Sequence, residues 1–218
     1  MAKKILGLVA AVLGLGLATS EYLGYKYYFK YRELRQEARS LESAFPELEE
    51  ALKKAISFRG ERPFFRELSR LYLERAIGEN EFGQPEKREA FLDLARQATA
   101  RWVRSFPADG TAYFEMGKIY MLSNFPLLTY ARRGREFMRR ALELQPSSSF
   151  LKLNILYIFL TQADELEAAE KAFLLTRLEP ELKSNPFFLA ELRRRWKENY
   201  GRSDSLDSLL LKLGLKLP

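Results

Sequence analysis

The sequence predicts an all-α protein, with an apolar helix at the N-terminus followed by a body of antiparallel helix pairs. Three observations carry this. Leu, Ala, Glu, Arg and Lys dominate while Val, Ile and Thr are sparse, a bias toward helix formers and away from β-branched residues. Large apolar residues recur at three- and four-residue spacings along most of the chain. Prolines and glycines punctuate these runs at intervals that suit helix lengths. At 218 residues, 47% hydrophobic and 13% aromatic, the chain is long enough for one large domain plus an anchor.

The first element is the anchor. After Lys3 and Lys4 no charge occurs from Ile5 to Ser20, and Glu21, Tyr22 and Leu23 follow. Ile5–Leu23 is just long enough, at about 1.5 Å per residue, to cross a hydrocarbon layer of roughly 30 Å. The run YKYYFKYR then interleaves Tyr25, Tyr27, Tyr28, Phe29 and Tyr31 with lysines, a mixture suited to the headgroup layer. Gly7, Ala11, Gly14 and Ala18 form a small-residue stripe that allows close helix packing in lipid. A cleaved signal peptide is the alternative, because Ala18 and Ser20 are placed like a small-x-small cleavage site. The expected division is therefore 1–23 as a transmembrane anchor or uncleaved signal, 24–45 as a juxtamembrane helix and 46–218 as a helical body.

The body's elements follow in order. Leu34, Ala38, Leu41 and Phe45 continue a helical stripe, and Pro46 starts a new helix to about Phe58 with Leu48, Leu52 and Ile56 inward. Gly60 and Pro63 end it. A helix over Phe64–Ile77 carries Phe65, Leu68 and Tyr72, and the polar run GENEFGQPEK forms a loop before a helix through Ala90–Phe106. Pro107, Asp109 and Gly110 make a turn into AYFEMGKIYMLSN. There Tyr113, Met116, Gly117 and Tyr120 share one helix face.

Pro146 and Pro180 lie 34 residues apart, and Pro107 and Pro146 lie 39 apart. A period near 34 built of helix, turn and helix resembles the tetratricopeptide repeat, an α-solenoid of antiparallel helix pairs. Tyr113, Met116, Gly117 and Tyr120 resemble that family's first-helix signature. Gly134, Met138, Ala141 and Pro146 resemble its second-helix signature. The resemblance implies that Gly117 and Gly134 touch where the paired helices cross. The spacing between them exceeds the family's by five residues, which are expected in an enlarged loop around Pro126. Weaker copies are expected at Phe65, Leu68, Ser69 and Tyr72 with Ala95, Trp102 and Pro107. Another is expected at Phe150, Leu153, Asn154 and Tyr157 with Ala168, Ala172, Leu175 and Pro180. Pro186–Asn199 and Ser205–Leu213 are expected as capping helices.

Composition excludes several kinds of chemistry. There is no cysteine and no histidine, so disulfides, thiolate sites, Ser-His-Asp triads and Cys-His pairs are all impossible. No glycine-rich phosphate loop occurs in the body, and no acidic spacing suits calcium. Catalytic residues, cofactor and metal are each expected to be none. The net charge is +7, of which residues 1–40 hold +4, so the basic excess lies beside the apolar run. That placement favours a membrane surface over nucleic acid as the partner.

The expected function is a single-pass membrane scaffold that binds a protein partner of a membrane-associated assembly in a helical groove, with no small-molecule substrate. Arg70, Glu115 and Lys118 are candidate groove residues, and Arg132, Arg133 and Arg135 a candidate basic patch for an acidic segment. The alternative is a small accessory subunit held mainly by its membrane helix. The basic N-terminus favours an exported body, while the basic residues from Lys26 to Arg39 favour the opposite side; the balance leans to export.

Overall fold

Ten α-helices and no strand make up the described residues. The structure is a computed structural model that describes residues 2–81, 84–123, 127–201 and 204–215; at 2–9, 80–81, 127–129 and 204 it describes the backbone alone. The helices are α1 (Ala2–Glu37), α2 (Leu41–Phe58), α3 (Arg62–Glu81), α4 (Pro85–Ser105), α5 (Gly110–Leu122), α6 (Leu127–Leu144), α7 (Ser149–Thr161), α8 (Ala168–Ser184), α9 (Pro186–Tyr200) and α10 (Asp204–Lys212). They fall into two compact units, residues 1–137 and 138–218, with the boundary inside α6.

In the first unit, α1 does not stop at a membrane edge. It runs unbroken to Glu37, and its second half is part of the body. Tyr31 is 5% exposed in the core formed with Leu48, Leu52, Leu68, Leu71, Leu92 and Ile119. Of the aromatics expected in the headgroup layer, Tyr31 is buried, Tyr27 and Tyr28 are half-buried against the body, and Tyr25 and Phe29 are exposed. Tyr28 packs on Phe64 at 4.7 Å, Tyr27 stacks on Phe58 at 5.7 Å, and the Tyr25 hydroxyl donates to Glu61 at 2.6 Å. That last hydrogen bond is the main reason the Glu61 carboxyl sits below its ordinary range.

Among the described residues no helix is long and apolar enough to cross a membrane. The end of the expected span is instead engaged by the body at Ser20. Its hydroxyl donates to the Phe58 carbonyl, and Glu21 pairs with Arg59 at 3.1 Å, so the body takes hold of α1 before the expected span is complete. Gly7 and the other side chains of residues 2–9 lie outside the described residues.

The juxtamembrane helix expected over 24–45 is divided at Ala38–Ser40. Ser40 caps α2 by accepting from the Ser43 amide at 3.3 Å, so α2 begins five residues before Pro46. Pro46 then sits inside the helix. It removes the bond to the Glu42 carbonyl, and the burial of Leu48, Ala51, Leu52 and Ala55 offsets that loss. The expected loop after Ile77 is also shorter, because α3 continues through Glu81. α3 and α4 form an antiparallel hairpin closed by a buried Ser69–Thr99 hydroxyl pair at 2.6 Å.

In the second unit, α7, α8 and α9 pack as successive neighbours. The buried side of α8 is Glu170, Leu174, Leu178 and Leu182, two to three positions out of register with the expected Ala168, Ala172 and Leu175. Ala168 and Ala172 are exposed. The larger apolar side chains Leu174, Leu178 and Leu182 take the core, and a capping box between Glu167 and Glu170 starts the helix. Pro180 lies inside α8, between Leu178 and Leu182, and does not end it.

The arginine run at 193–195 is consumed by internal pairing. Arg193 forks onto Asp207 with two contacts of 3.1 Å, and Arg194 and Arg195 both donate to Glu191. Those two guanidinium groups hold the Glu191 carboxyl down at about 2, against an ordinary 4.5. A depressed carboxyl contributes stability above its unfolded-state value and loses it as pH falls through the folded value, here between about 4.5 and about 2. A carbon-detected NMR titration is expected to place the Glu191 midpoint near 2 and to find it back near 4.5 in the Arg194→Gln/Arg195→Gln variant. A wild-type midpoint near 4.5 would refute the pairing.

Candidate functional site

A concave site lies between α1 and α3. The two helices run side by side in the same direction, because partners are separated by a nearly constant interval: Tyr25 with Glu61, Tyr31 with Glu67 and Arg35 with Glu74. Helical spacing then aims Tyr28, Tyr31, Arg32, Arg35 and Gln36 of α1 into the same cleft as Arg66, Glu67, Arg70 and Glu74 of α3. The cleft holds about 430 Å³.

Its electrostatics are cationic. Four arginines face two glutamates. Arg35 and Arg70 both bind Glu74, the latter at 2.9 Å, and this shared carboxylate keeps the two guanidinium groups in place. Glu67 accepts from the Tyr31 hydroxyl at 3.3 Å and meets Arg66 at 3.4 Å. Burial, reinforced by Glu67, raises the Tyr31 hydroxyl far above its ordinary range, so it stays a neutral donor. Arg32 has no ion-pair partner among the described residues, and the Arg66 side chain is 55% exposed. The cleft therefore offers planar cationic donors beside tyrosine rings, a combination that takes carboxylate or phosphate groups.

No known family, curated protein or solved structure matches this chain. The site's own chemistry must carry any functional reading. Among the described residues no group of three or more acidic side chains is placed to hold a metal ion.

Of the residues singled out from sequence, Arg70 lies in the cleft. Glu115 and Lys118 lie on α5 and pair with one another at 2.7 Å. Arg132 meets Glu136 at 3.8 Å and Arg133 lies over the Tyr120 ring at 5.6 Å. Arg135 is 4% exposed and cannot form part of a surface patch.

A Cβ built on Gly134 would stand 2.9 Å from the Gly117 carbonyl oxygen and 2.8 Å from the Met121 sulfur. Tyr120 stacks on Phe137 at 5.4 Å, Tyr113 lies 6.2 Å from the same ring, and Met116, Met138 and Ala141 are buried while Pro146 is exposed. The expected loop around Pro126 falls partly on 124–126, outside the described residues. The residues after it, 127–133, belong to α6. Ala11, Gly14 and Ala18 are all exposed, and nothing lies within 4 Å of a Cβ at Gly14.

Sequence reasoning missed Arg32, Arg35, Arg66 and Gly24. A Cβ at Gly24 would meet the Arg59 Cβ at 2.9 Å, so α1 crosses α2 at a side-chain-free position. The available signal was Leu23-Gly24-x-x-Tyr27, which has the spacing of Met116-Gly117-x-x-Tyr120.

Proposed function

We propose that this chain is a non-catalytic, membrane-associated scaffold that holds an acidic segment of a protein partner in the α1–α3 cleft. The single observation behind this reading is the cluster of Arg32, Arg35, Arg66 and Arg70, two of them anchored by Glu74 and Arg32 left over. Anchored guanidinium groups lose little freedom on binding, which favours an extended acidic chain over a diffuse counterion cloud.

A stacked-repeat organisation is part of the same proposal. It is supported by hairpins that close on small residues, Gly24 in α1–α2, Ser69 in α3–α4 and Gly117 with Gly134 in α5–α6, and by the parallel neighbours α1 and α3. Membrane attachment through the apolar start of α1 is supported by its exposure, since Val12, Leu13, Leu15 and Leu17 are 61–71% exposed. An exported body remains the orientation we propose. The accessory-subunit reading has its own support in the exposed Ala11–Gly14–Ala18 stripe.

Photo-crosslinkers at positions 32 and 70, used in native membranes, are expected to trap the same acidic protein. Arg32→Glu combined with Arg66→Glu is expected to weaken capture about 100-fold, through two lost and reversed charge contacts. Unchanged capture by that variant would reject the cleft. Capture that survives removal of residues 1–19 supports the groove, and capture that requires them supports the accessory subunit.

A further inference from the structure

The exposed part of α1 is apolar on every side. Val12, Leu13, Leu15 and Leu17 are distributed around the helix at 100° per residue, and a Cβ on Gly14 or Gly16 would meet nothing within 4 Å. A helix of this kind cannot lie half in water and must be surrounded. The run from Ile5 to Thr19 is about 22 Å long at 1.5 Å per residue, short of a hydrocarbon layer of roughly 30 Å. α1 has no break between this run and the body, and the clamp begins at the next residue through Ser20 on Phe58 and Glu21 on Arg59. There is no spacer. Inserting the run as far as Thr19 draws the α2–α3 turn up against the bilayer.

That turn has the composition an interface requires. Phe58 is 38% exposed and stacks on Tyr27, with Lys54 5.5 Å from the Tyr27 ring. Tyr22, two residues beyond Ser20, is 66% exposed. The Arg59 and Arg62 side chains are 41% and 59% exposed, and Lys26 follows on α1. The carboxylates beside them are Glu21 and Glu61, both on Arg59, Asp109 at 3.7 Å from Arg62 and Glu50 on Lys54, so the cations left to face lipid are Lys26, which has no ion pair among the described residues, and the largely exposed Arg62. Aromatic rings at the headgroup level with arginines reaching anionic lipid are the chemistry of a membrane rim.

We infer that the α2–α3 turn, Phe58 to Arg62, is a second membrane contact that seats the body directly on an anionic lipid headgroup layer beside the inserted start of α1. This rests on the membrane attachment proposed above. It fixes the orientation of the first unit, with the α3 C-terminal end pointing away from the lipid and the arginine cleft open alongside.

The chain contains no cysteine, so single cysteines can carry a polarity-sensitive fluorophore without altering any native thiol. Probes replace Leu15 in the run, Phe58 in the turn, and Ile77, which is 47% exposed toward the far end of α3. On mixed phosphatidylcholine–phosphatidylglycerol vesicles, the probes at 15 and 58 are expected to shift to the blue. Shallow spin-labelled lipid should quench the probe at 58, and the probe at 77 should not respond. Arg59→Glu with Arg62→Glu is expected to lower vesicle affinity at least about tenfold on the anionic mixture and to leave neutral vesicles unaffected.

A blue-shifted 15 with a water-like 58 overturns the rim and leaves membrane attachment standing. A water-like 15 overturns both. Protection of 58 in native membranes but not in vesicles assigns the turn to a membrane protein partner and overturns the lipid contact, as does an arginine variant that binds anionic vesicles like the wild type.

Discussion

Gly134→Val is expected to lower the free energy of unfolding by about 3 kcal/mol. The Cβ added at this position meets two atoms of different character. Met121 is a flexible side chain whose sulfur at 2.8 Å can swing aside, but the Gly117 carbonyl oxygen at 2.9 Å belongs to the backbone of α5. It moves only if the helix moves. Overpacking of this kind costs roughly 1–3 kcal/mol, and valine adds two methyl groups and a poorer helix propensity than alanine. Gly134→Ala is expected to lose less, about 1–2 kcal/mol, because the gain of about 1 kcal/mol from replacing a helical glycine offsets part of the clash. Gly78→Ala supplies the opposite sign. It lies inside α3 with nothing within 4 Å of its new Cβ, so only the propensity term operates and stability should rise by up to about 1 kcal/mol. Urea denaturation followed by far-ultraviolet circular dichroism checks all three. A neutral Gly134→Val would remove the close crossing from the account of this fold.

The glycine spacing made that crossing legible because it is a local property of two adjacent helices. The turn at Asp109 was legible for the same reason, since one short side chain meets the first amides of its own helix. The second half of α1 was not legible. Tyrosines alternating with lysines suit a lipid headgroup layer and a half-buried helix equally well, and only the partners Phe58, Glu61 and Phe64, more than thirty residues away, decide between them. The α8 phase was missed because the repeat resemblance placed Ala168, Ala172 and Leu175 inward, whereas the larger apolar side chains Leu174, Leu178 and Leu182 are the ones buried. Of the cleft, sequence periodicity reached Arg70 alone. Arg32 and Arg35 become its neighbours through the pairing of parallel helices, a long-range fact that no spacing within either helix records.

Asp109→Ala is expected to cost about 2–3 kcal/mol, although it removes only one small side chain. The two carboxylate oxygens have separate tasks. Oδ1 accepts from the Thr111 amide at 3.1 Å and caps α5, while Oδ2 accepts from the Trp102 Nε1–H at 3.1 Å and ties down the end of α4. Loss of the cap costs about 1 kcal/mol. Loss of the second acceptor leaves the indole N–H of a tryptophan only 2% exposed without a partner, for another 1–2 kcal/mol or so. Arg62, at 3.7 Å and largely exposed, adds little. The two tasks can be separated. The Asp109→Asn substitution keeps one acceptor oxygen and so only one of the two bonds, which predicts roughly half the loss. Trp102→Phe keeps an aromatic ring at the site and removes the donor. Combined with Asp109→Ala in a double-mutant cycle, it should give a coupling of about 1 kcal/mol, read from denaturation midpoints. Additive losses in that cycle would mean the tryptophan is held by packing alone and that the turn between α4 and α5 is fixed by the cap.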